Sequence, residues 1–265
     1  MLTVSEFESV KAIKGTFKLA GVRMNVYLYL IDGLLIDSGP SRLQKEIVDY
    51  LSNEIYHQLI FTHHHEDHTG NAAVLPGNVP MYIHPSGIPL CKRKPHLPFY
   101  RRLFWGSRKP FTPEGIDQQI KTRDHTFELL HTPGHASDHL TLLEKDQGWL
   151  FSGDLYVMSH PKSIFAFESI PDVIASLEKV LTCEFKTVFC SHAGILPNGR
   201  KRLKEKLDYL QSIQGQVLAK FNDGKPIATI QKEMFPTRHP LNYFSLFENS
   251  SRHIVTSIIK KEGSR

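Results

Sequence analysis

Four histidines and two carboxylates occupy six consecutive positions of the chain, His63-His64-His65-Glu66-Asp67-His68. The chain holds 15 histidines among 265 residues, so a window of six residues is expected to contain well under one. Imidazole nitrogen and carboxylate oxygen are ligands that Zn²⁺ takes at about 2.0–2.2 Å. The cluster therefore predicts a metal site.

The spacing within the cluster predicts two metal positions. The cluster follows a short apolar run at 59–62, which is typical of a buried strand. In extended backbone His63 and His65 point to the same side and share one cation. Asp67 and His68, where the chain turns into a helix, aim at a second position nearby. Zinc fits these ligands best, and iron or manganese is also compatible with them.

Three later segments offer further ligands on small-residue turns beside expected strands. They contain His135 in a Pro-Gly-His sequence, Asp154 in a Gly-Asp sequence, and His192 after the run 186–190. Turns at strand ends often carry function. Taken singly, each of these residues fits a structural hydrogen-bonding role better than a ligand role. Their joint order along the chain favours ligands.

The motif set resembles the metallo-β-lactamase-fold hydrolases over roughly residues 12–198. The resemblance rests on the His-x-His-x-Asp-His pattern at 63–68, followed in order by the Pro-Gly-His, the Gly-Asp and the late strand-end histidine. The segment 35–39, Leu-Ile-Asp-Ser-Gly, is similar to the early strand and turn of that family. The resemblance implies an α+β fold, a four-layer αββα sandwich with the metals at one edge.

The resemblance also implies roles for individual residues. It implies two metal ions, the first held by His63, His65 and His135, and the second held by Asp67, His68 and His192. Asp154 bridges both ions in this scheme, because a carboxylate offers two oxygens. A hydroxide between the ions is the expected nucleophile, and Asp67 orients it or takes its proton.

Neighbouring polar residues are expected to support the ligands. Asp37 is expected to act as a brace, that is, to accept a hydrogen bond from a metal-bound imidazole and hold the ring in place, since such rings need an acceptor. His64 and Glu66 occupy the variable positions of the motif and are expected to point away from the metals. Tyr156 fits either polarisation of a substrate carbonyl or simple packing.

Hydrophobic periodicity predicts the elements that position these residues. Strands are expected at 24–31 and 34–36 around the Asp32-Gly33 turn, and at 59–62, 81–83, 119–121, 126–130, 139–143, 149–151 and 186–190. Helices are expected at 41–51, 68–75 and 171–181. Residues 1–198 are expected to form the catalytic domain, and residues 199–265 a helical C-terminal extension.

The segment 85–115 interrupts this pattern with six prolines, several aromatic residues and a set of basic residues. Its composition predicts a lid or pocket wall without regular elements, in which Tyr100, Phe104 or Trp105 faces the cleft. A packed surface excursion is the alternative interpretation.

Composition excludes several classes of protein. No apolar run approaches the roughly 18 residues that a membrane span needs. The N-terminal residues lack the pattern of a secretory signal. Three widely spaced cysteines argue against a disulfide framework. These features together favour a cytoplasmic protein that does not interact with membranes.

Two function classes fit the sequence. The first is a hydrolase of a small-molecule ester, thioester or lactone. If the basic residues of 85–115 line its pocket, they are expected to attract an anionic substrate. The second is a metal-dependent nuclease acting on RNA or another phosphodiester, because the net charge is +5 and the run at 200–204 is basic. That charge is modest, and the basic run also suits a solvated helix face, so acyl hydrolysis is favoured. The sequence does not indicate an oligomeric state.

Overall fold

Seven strands form the first β-sheet and lie side by side in sequence order. The computed structural model describes residues 1–19, 22–237 and 240–262. The strands are β1 (Leu2–Phe7), β2 (Val10–Leu19), β3 (Val22–Ile31), β4 (Leu34–Ile36), β5 (Gln58–Ile60), β6 (Met81–Ile83) and β7 (Glu114–Gly115). Pairing is antiparallel from β1 to β4 and parallel from β4 to β7.

Six strands form the second sheet, and two more form a small third sheet. These strands are β8 (Gln119–Lys121), β9 (Thr126–His131), β10 (Leu140–Glu144), β11 (Trp149–Gly153), β12 (Ile164–Phe165), β13 (Thr187–Cys190), β14 (Gly194–Leu196) and β15 (Asn249–Ser250). The second sheet has the order β14-β13-β11-β10-β9-β8, and in it only β11 and β13 pair in parallel. The third sheet pairs β12 with β15.

Helices cover the outer faces of both large sheets. The helices of the described residues are α1 (Gln44–Leu51), α2 (Glu66–Thr69), α3 (Ile88–Cys91), α4 (Phe99–Trp105), α5 (Ile170–Leu181), α6 (Gly199–Asn222), α7 (Ile227–Met234), α8 (Pro240–Phe244) and α9 (Ser251–Glu262), of which α2, α4 and α8 do not lie on these faces. Short 3₁₀ turns lie at Ser41–Leu43 and Pro85–Gly87. Within the described ranges, no helix is both long and apolar enough to cross a bilayer.

Side-chain alternation along the strands builds the layers. In β3, Tyr29 and Ile31 face the second sheet, where they meet Phe151 and Phe189 in the central core. Leu28 and its neighbours on the opposite face of the first sheet pack against α1. The outer face of the second sheet packs against α5, α6, α7 and α9. The fold is the four-layer αββα sandwich that the sequence predicts.

Several expectations about individual elements are wrong. The expected strand at 59–62 ends at Ile60, because the Thr62 backbone N–H donates to the Asp37 carboxylate. The expected helix at 68–75 is a single turn over Glu66–Thr69 followed by turns. The segment 85–115 contains α3 and α4, and residues beyond 199 include the strand β15 as well as helices. The N-terminal hairpin of β1 and β2 has no counterpart in the expectations.

The helices beyond residue 198 share a hydrophobic core with the second sheet. Leu207 on α6, Ile230 on α7 and Val255 on α9 pack in the same cluster as Leu177 of α5 and Val188 of β13. The division into domains at residue 198 stays a prediction.

Gly70 lets the turn after the histidine cluster pack backbone-to-backbone on the segment after β4. A methyl group there would lie 2.5 Å from the Glu66 carbonyl oxygen and 2.5 Å from the Ser41 backbone nitrogen. Gly70→Ala should therefore lower the free energy of unfolding by about 3 kcal/mol, the upper end for overpacking. Gly215→Ala is the matched control, since that exposed position of α6 has open space around it. It should raise stability by about 1 kcal/mol. Urea denaturation measures both changes, and equal stability of the two variants would contradict this account.

Candidate metal centre

All seven predicted ligands gather where loops of the two sheets converge. The cluster 63–68 follows β5 of the first sheet, and its ligands are joined by three residues that follow strands of the second sheet. His135 follows β9, Asp154 follows β11 and His192 follows β13. Their ligand atoms form three overlapping groups in which all atoms lie within 4.8 Å of one another.

One group consists of three histidines. The Nε2 atom of His63 lies 3.0 Å from Nδ1 of His65, and that Nδ1 lies 3.0 Å from Nε2 of His135. Three ring nitrogens that face one point suit a cation, because neutral imidazoles present lone pairs there.

The remaining ligands form a mixed group of imidazoles and carboxylates. The Nε2 atom of His192 lies 3.4 Å from Oδ2 of Asp67. The Nε2 atom of His68 lies 3.7 Å from the same oxygen. This mixture of donors also suits a borderline divalent ion such as zinc.

The Asp154 carboxylate lies between the two groups. Its Oδ2 atom is 3.4 Å from Nε2 of His135 and 3.2 Å from Nε2 of His192. Its Oδ1 atom is 3.6 Å from Nε2 of His68. Asp154 is therefore the residue that lies within reach of both groups of candidate ligands.

Two buried polar atoms at this point fit a bound cation. Within the described part of the chain, Nε2 of His68 and Oδ1 of Asp154 have no hydrogen-bond partner. An unsatisfied buried polar group costs about 1–3 kcal/mol. A cation that ligates both atoms removes this cost, so the donor set fits a metal.

The electrostatics of the cluster set the protonation of its members. Burial, followed by the neighbouring histidines, lowers the pKa of His63 well below its usual value. Burial alone would raise the pKa of Asp154, but His192 and His68 hold it well below its ordinary range. Burial opposes a charge on His192, yet Asp154 outweighs it and raises that pKa. The carboxylate is thus ionised, and His63 is neutral and ready to ligate.

Asp37 lies behind His68, as the sequence predicts for a brace. Its Oδ2 atom accepts a 2.7 Å hydrogen bond from Nδ1 of His68, which turns Nε2 toward the ligand cluster. Its Oδ1 atom accepts the 2.8 Å hydrogen bond from the Thr62 backbone N–H. One carboxylate thus fixes both the ring and the loop that carries it.

Two further residues support the ligands, and the sequence signalled only one of them. Oε1 of Glu168 lies 2.5 Å from Nδ1 of His135, while Oε2 accepts from the Phe165 backbone N–H. Nε2 of His139 accepts from the Asp154 backbone N–H at 3.0 Å. Glu168 lies in a turn with no motif around it, so only tertiary contact identifies it. His139 carried a signal, since it lies four residues after His135.

The variable positions of the motif make contacts of their own. Glu66 forms a two-fold ion pair with Arg101 of α4, at 2.7 Å for each hydrogen bond. The Arg101 guanidinium also lies over the ring of Phe167. Nδ1 of His64 lies 2.7 Å from Oδ1 of the buried Asp138. These contacts tie the motif to α4 and to the loop after His135.

The candidate substrate residues lie in different surroundings. The Trp105 ring centre is 5.8 Å from that of His192, beside the ligand cluster. Tyr100 is buried among aromatic residues and contacts Phe244 of α8. The Tyr156 hydroxyl is 3.2 Å from Ser159 Oγ, and its ring lies in the core beneath α6. Tyr156 is therefore given no catalytic role.

A cavity of about 450 Å³ adjoins the cluster, with His64, His65 and Phe167 in its wall. A larger one of about 830 Å³ lies between α5 and α6, and no candidate ligand lines it. The smaller cavity is the one that adjoins the candidate metal ligands, and its size suits a small-molecule site.

The sequence profile of the metallo-beta-lactamase superfamily matches residues 22–192, which span every candidate ligand. The chain belongs to this superfamily. The superfamily uses metal ions, in agreement with the cluster found here.

Relatives within the superfamily include two named hydrolases. An atrochrysone carboxyl ACP thioesterase from Aspergillus fumigatus is 24% identical over 77% of this chain and 61% of its own length. A hydroxyacylglutathione hydrolase from Xylella fastidiosa is 28% identical over 66% of this chain and 62% of its own length. The chain thus spans less than two thirds of either relative.

A solved structure shares the fold across almost the whole chain. A metallo-beta-lactamase family protein from Thermus thermophilus superposes with a TM-score of 0.69 at 19% identity. The match covers 97% of this chain and 95% of that protein. It includes the C-terminal helices, which lie outside the profile match.

Asp37→Ala tests the brace. The change leaves the Thr62 N–H and the His68 Nδ1 without their acceptor, so zinc affinity should fall about 10- to 100-fold. Competition with a chromophoric chelator measures this affinity. Glu144→Ala is the matched control, because Glu144 is an equally buried carboxylate that contacts His125 away from the cluster. It should lower stability with no loss of zinc affinity. Unchanged zinc affinity in Asp37→Ala would show that Asp37 does not hold His68 in place for metal binding.

Proposed function

We propose that the chain is a dinuclear metal-dependent hydrolase that cleaves an ester, thioester or lactone. The observation that carries the proposal is the position of the Asp154 carboxylate, 3.4 Å from His135 on one side and 3.2 Å from His192 on the other. A carboxylate between two histidine groups suits two adjacent divalent ions, because it offers two ligand oxygens.

In the proposed site the ligands divide as the resemblance implies. His63, His65 and His135 would hold one ion, and Asp67, His68 and His192 would hold the other. Asp154 would contribute to both. Zinc suits this set of nitrogen and oxygen ligands.

Divalent ions in such a site act as Lewis acids on a carbonyl oxygen and lower the pKa of water. The chain's own residues supply the positioning. Asp67 is buried beside His192 and is proposed to orient the attacking water and accept its proton. Asp37 and Glu168 keep two of the ligand rings in place. Trp105 is proposed to exclude bulk water from the side of His192.

Acyl hydrolysis is favoured over phosphodiester cleavage for two reasons. The relatives named above act, by their names, on an acyl carrier thioester and on hydroxyacylglutathione. The basic run of α6, the main sequence argument for nucleic acid, is engaged in local contacts. Arg200 lies 3.8 Å from Glu184, Arg202 lies 3.5 Å from Glu205, and Lys204 pairs with Asp208.

Side-by-side assays of the zinc-loaded protein decide the substrate class. A thioester, a lactone, a carboxylic ester, a phosphodiester and RNA are compared at equal enzyme concentration. The proposal predicts turnover of at least one acyl compound, with RNA cleavage absent. RNA cleavage that falls steeply with salt, without acyl turnover, would replace the proposal with the nuclease alternative.

Metal content of purified variants tests the shared carboxylate. Asp154→Ala should lower occupancy at both positions, since it removes a ligand from each. His192→Ala is the comparison, because it removes a ligand from one position only and should lose about one ion per chain. Elemental analysis by mass spectrometry gives the metal-to-protein ratio. Two tightly held ions in Asp154→Ala would rule out the shared role.

The cytoplasmic location stays a prediction.

A further inference from the structure

The cavity beside the candidate metal centre is strongly basic at its wall. The histidine motif contributes His64 and His65 to this wall. The segment 92–108 contributes three cations that are not matched by carboxylates, Arg93, Lys94 and Arg108. The cavity thus joins the metal ligands to a group of positive charges.

Among the described residues that line this cavity, the only carboxylate is that of Glu66. It is already neutralised, since both of its oxygens accept from Arg101. Arg108 is 2% exposed, and its terminal nitrogens donate only to the carbonyl oxygens of Cys91 and Leu90. Its Nε atom is buried without a hydrogen-bond partner in the described chain. These carbonyls are neutral, and among the described residues no carboxylate lies within ion-pair distance of this guanidinium, on which Glu66 and Asp138 act only from farther away.

We infer that this cavity binds an anionic group, a phosphate or carboxylate, on the part of the substrate remote from the scissile bond. The inference rests on the proposed acyl hydrolysis and specifies its substrate. Arg93 and Lys94 are exposed residues of the lining, whereas Arg108 is buried. A cleft lined by cations focuses its field and attracts an anion more strongly than the same charges on a flat surface. A buried arginine also suits phosphate or carboxylate recognition, because its planar fork matches both groups.

The shape of the cavity favours a small molecule over a polymer. It holds about 450 Å³, within the usual range for small-ligand pockets. Phe167 lies in the wall with its ring 5.1 Å from that of His65, so apolar surface adjoins the metal ligands. Single-stranded nucleic acid instead requires an extended groove with successive stacking platforms.

Paired substrates that differ only in the remote charge test the inference. S-acetyl-phosphopantetheine is compared with S-acetyl-pantetheine, and S-acetyl-mercaptopropionate with its neutral isostere S-acetyl-mercaptopropionamide. In at least one pair, the anionic member should have a KM about tenfold lower, which corresponds to about 1.4 kcal/mol. The pair that shows the larger ratio identifies the anion as phosphate or carboxylate. Ratios near one in both pairs overturn the inference.

Variants locate the effect. In the double variant Arg93→Gln/Lys94→Gln, the ratio of the two KM values should fall toward one. The double variant Lys92→Gln/Lys109→Gln is the matched control. It removes the same charge from two exposed positions, one at the start of this segment and one just after its end, that do not line the cavity, and should keep the ratio. A ratio that falls equally in both variants would show a general charge effect and overturn the assignment to this cavity.

Binding to the metal-free protein separates this inference from the proposed reaction. The probes are the thioethers S-methyl-phosphopantetheine and S-methyl-pantetheine, which have no scissile bond, together with the thioether S-methyl-mercaptopropionate. Calorimetry should show tighter binding of an anionic probe, weakened by Arg93→Gln/Lys94→Gln and by added salt. This binding in a protein that hydrolyses no thioester would refute the proposed function alone. Thioester turnover without a preference for any anionic probe would refute this inference alone. An RNA oligonucleotide that binds through Arg93 and Lys94 and excludes the probe would also overturn it.

Discussion

The candidate centre depends on one carboxylate that must reach two groups of histidines from different loops. Asp154 achieves this because β11 and β13 run parallel as neighbours, so their carboxyl ends deliver Asp154 and His192 to the same edge of the second sheet. The register shifts between Phe151 and Gly153 at the last step of that pairing. Gly153 has a φ of 49°, and a methyl group there would lie 2.6 Å from Nε2 of His139. A larger residue would therefore push Asp154 away from the histidine that supports it.

The first sheet meets this constraint from the opposite side. The Thr62 backbone N–H donates to the Asp37 carboxylate and not to a neighbouring strand. Strand β5 therefore ends at Ile60, and the histidine motif bends across the edge of the sandwich. The same carboxylate holds His68. The C-terminal helices also contribute, since the buried Lys206 of α6 donates to the carbonyl of Leu155, next to Asp154. Residues beyond the profile match therefore support the centre directly.

The sequence predicted the parts of the molecule whose signal is local. Histidines at a spacing of two, with carboxylates beside them, indicate a metal site at 63–68 without knowledge of the fold. His135, Asp154 and His192 are identified as further ligands only from their joint order along the chain and the resemblance to the family. The pairing of Glu168 with His135 joins positions that no local pattern connects. The same is true of Arg101 with Glu66, and of β15 with β12. These contacts arise only when distant segments pack, so a periodicity argument has no access to them.

Anomalous diffraction from crystals of the zinc-loaded protein, recorded on both sides of the zinc absorption edge, tests the central claim most directly. The account predicts two anomalous peaks about 3.5–4 Å apart, as in other two-metal sites. One peak is expected among His63, His65 and His135, the other among Asp67, His68 and His192, with the Asp154 carboxylate between them. A single peak at full zinc loading, or two peaks with Asp154 turned away from either, would contradict it.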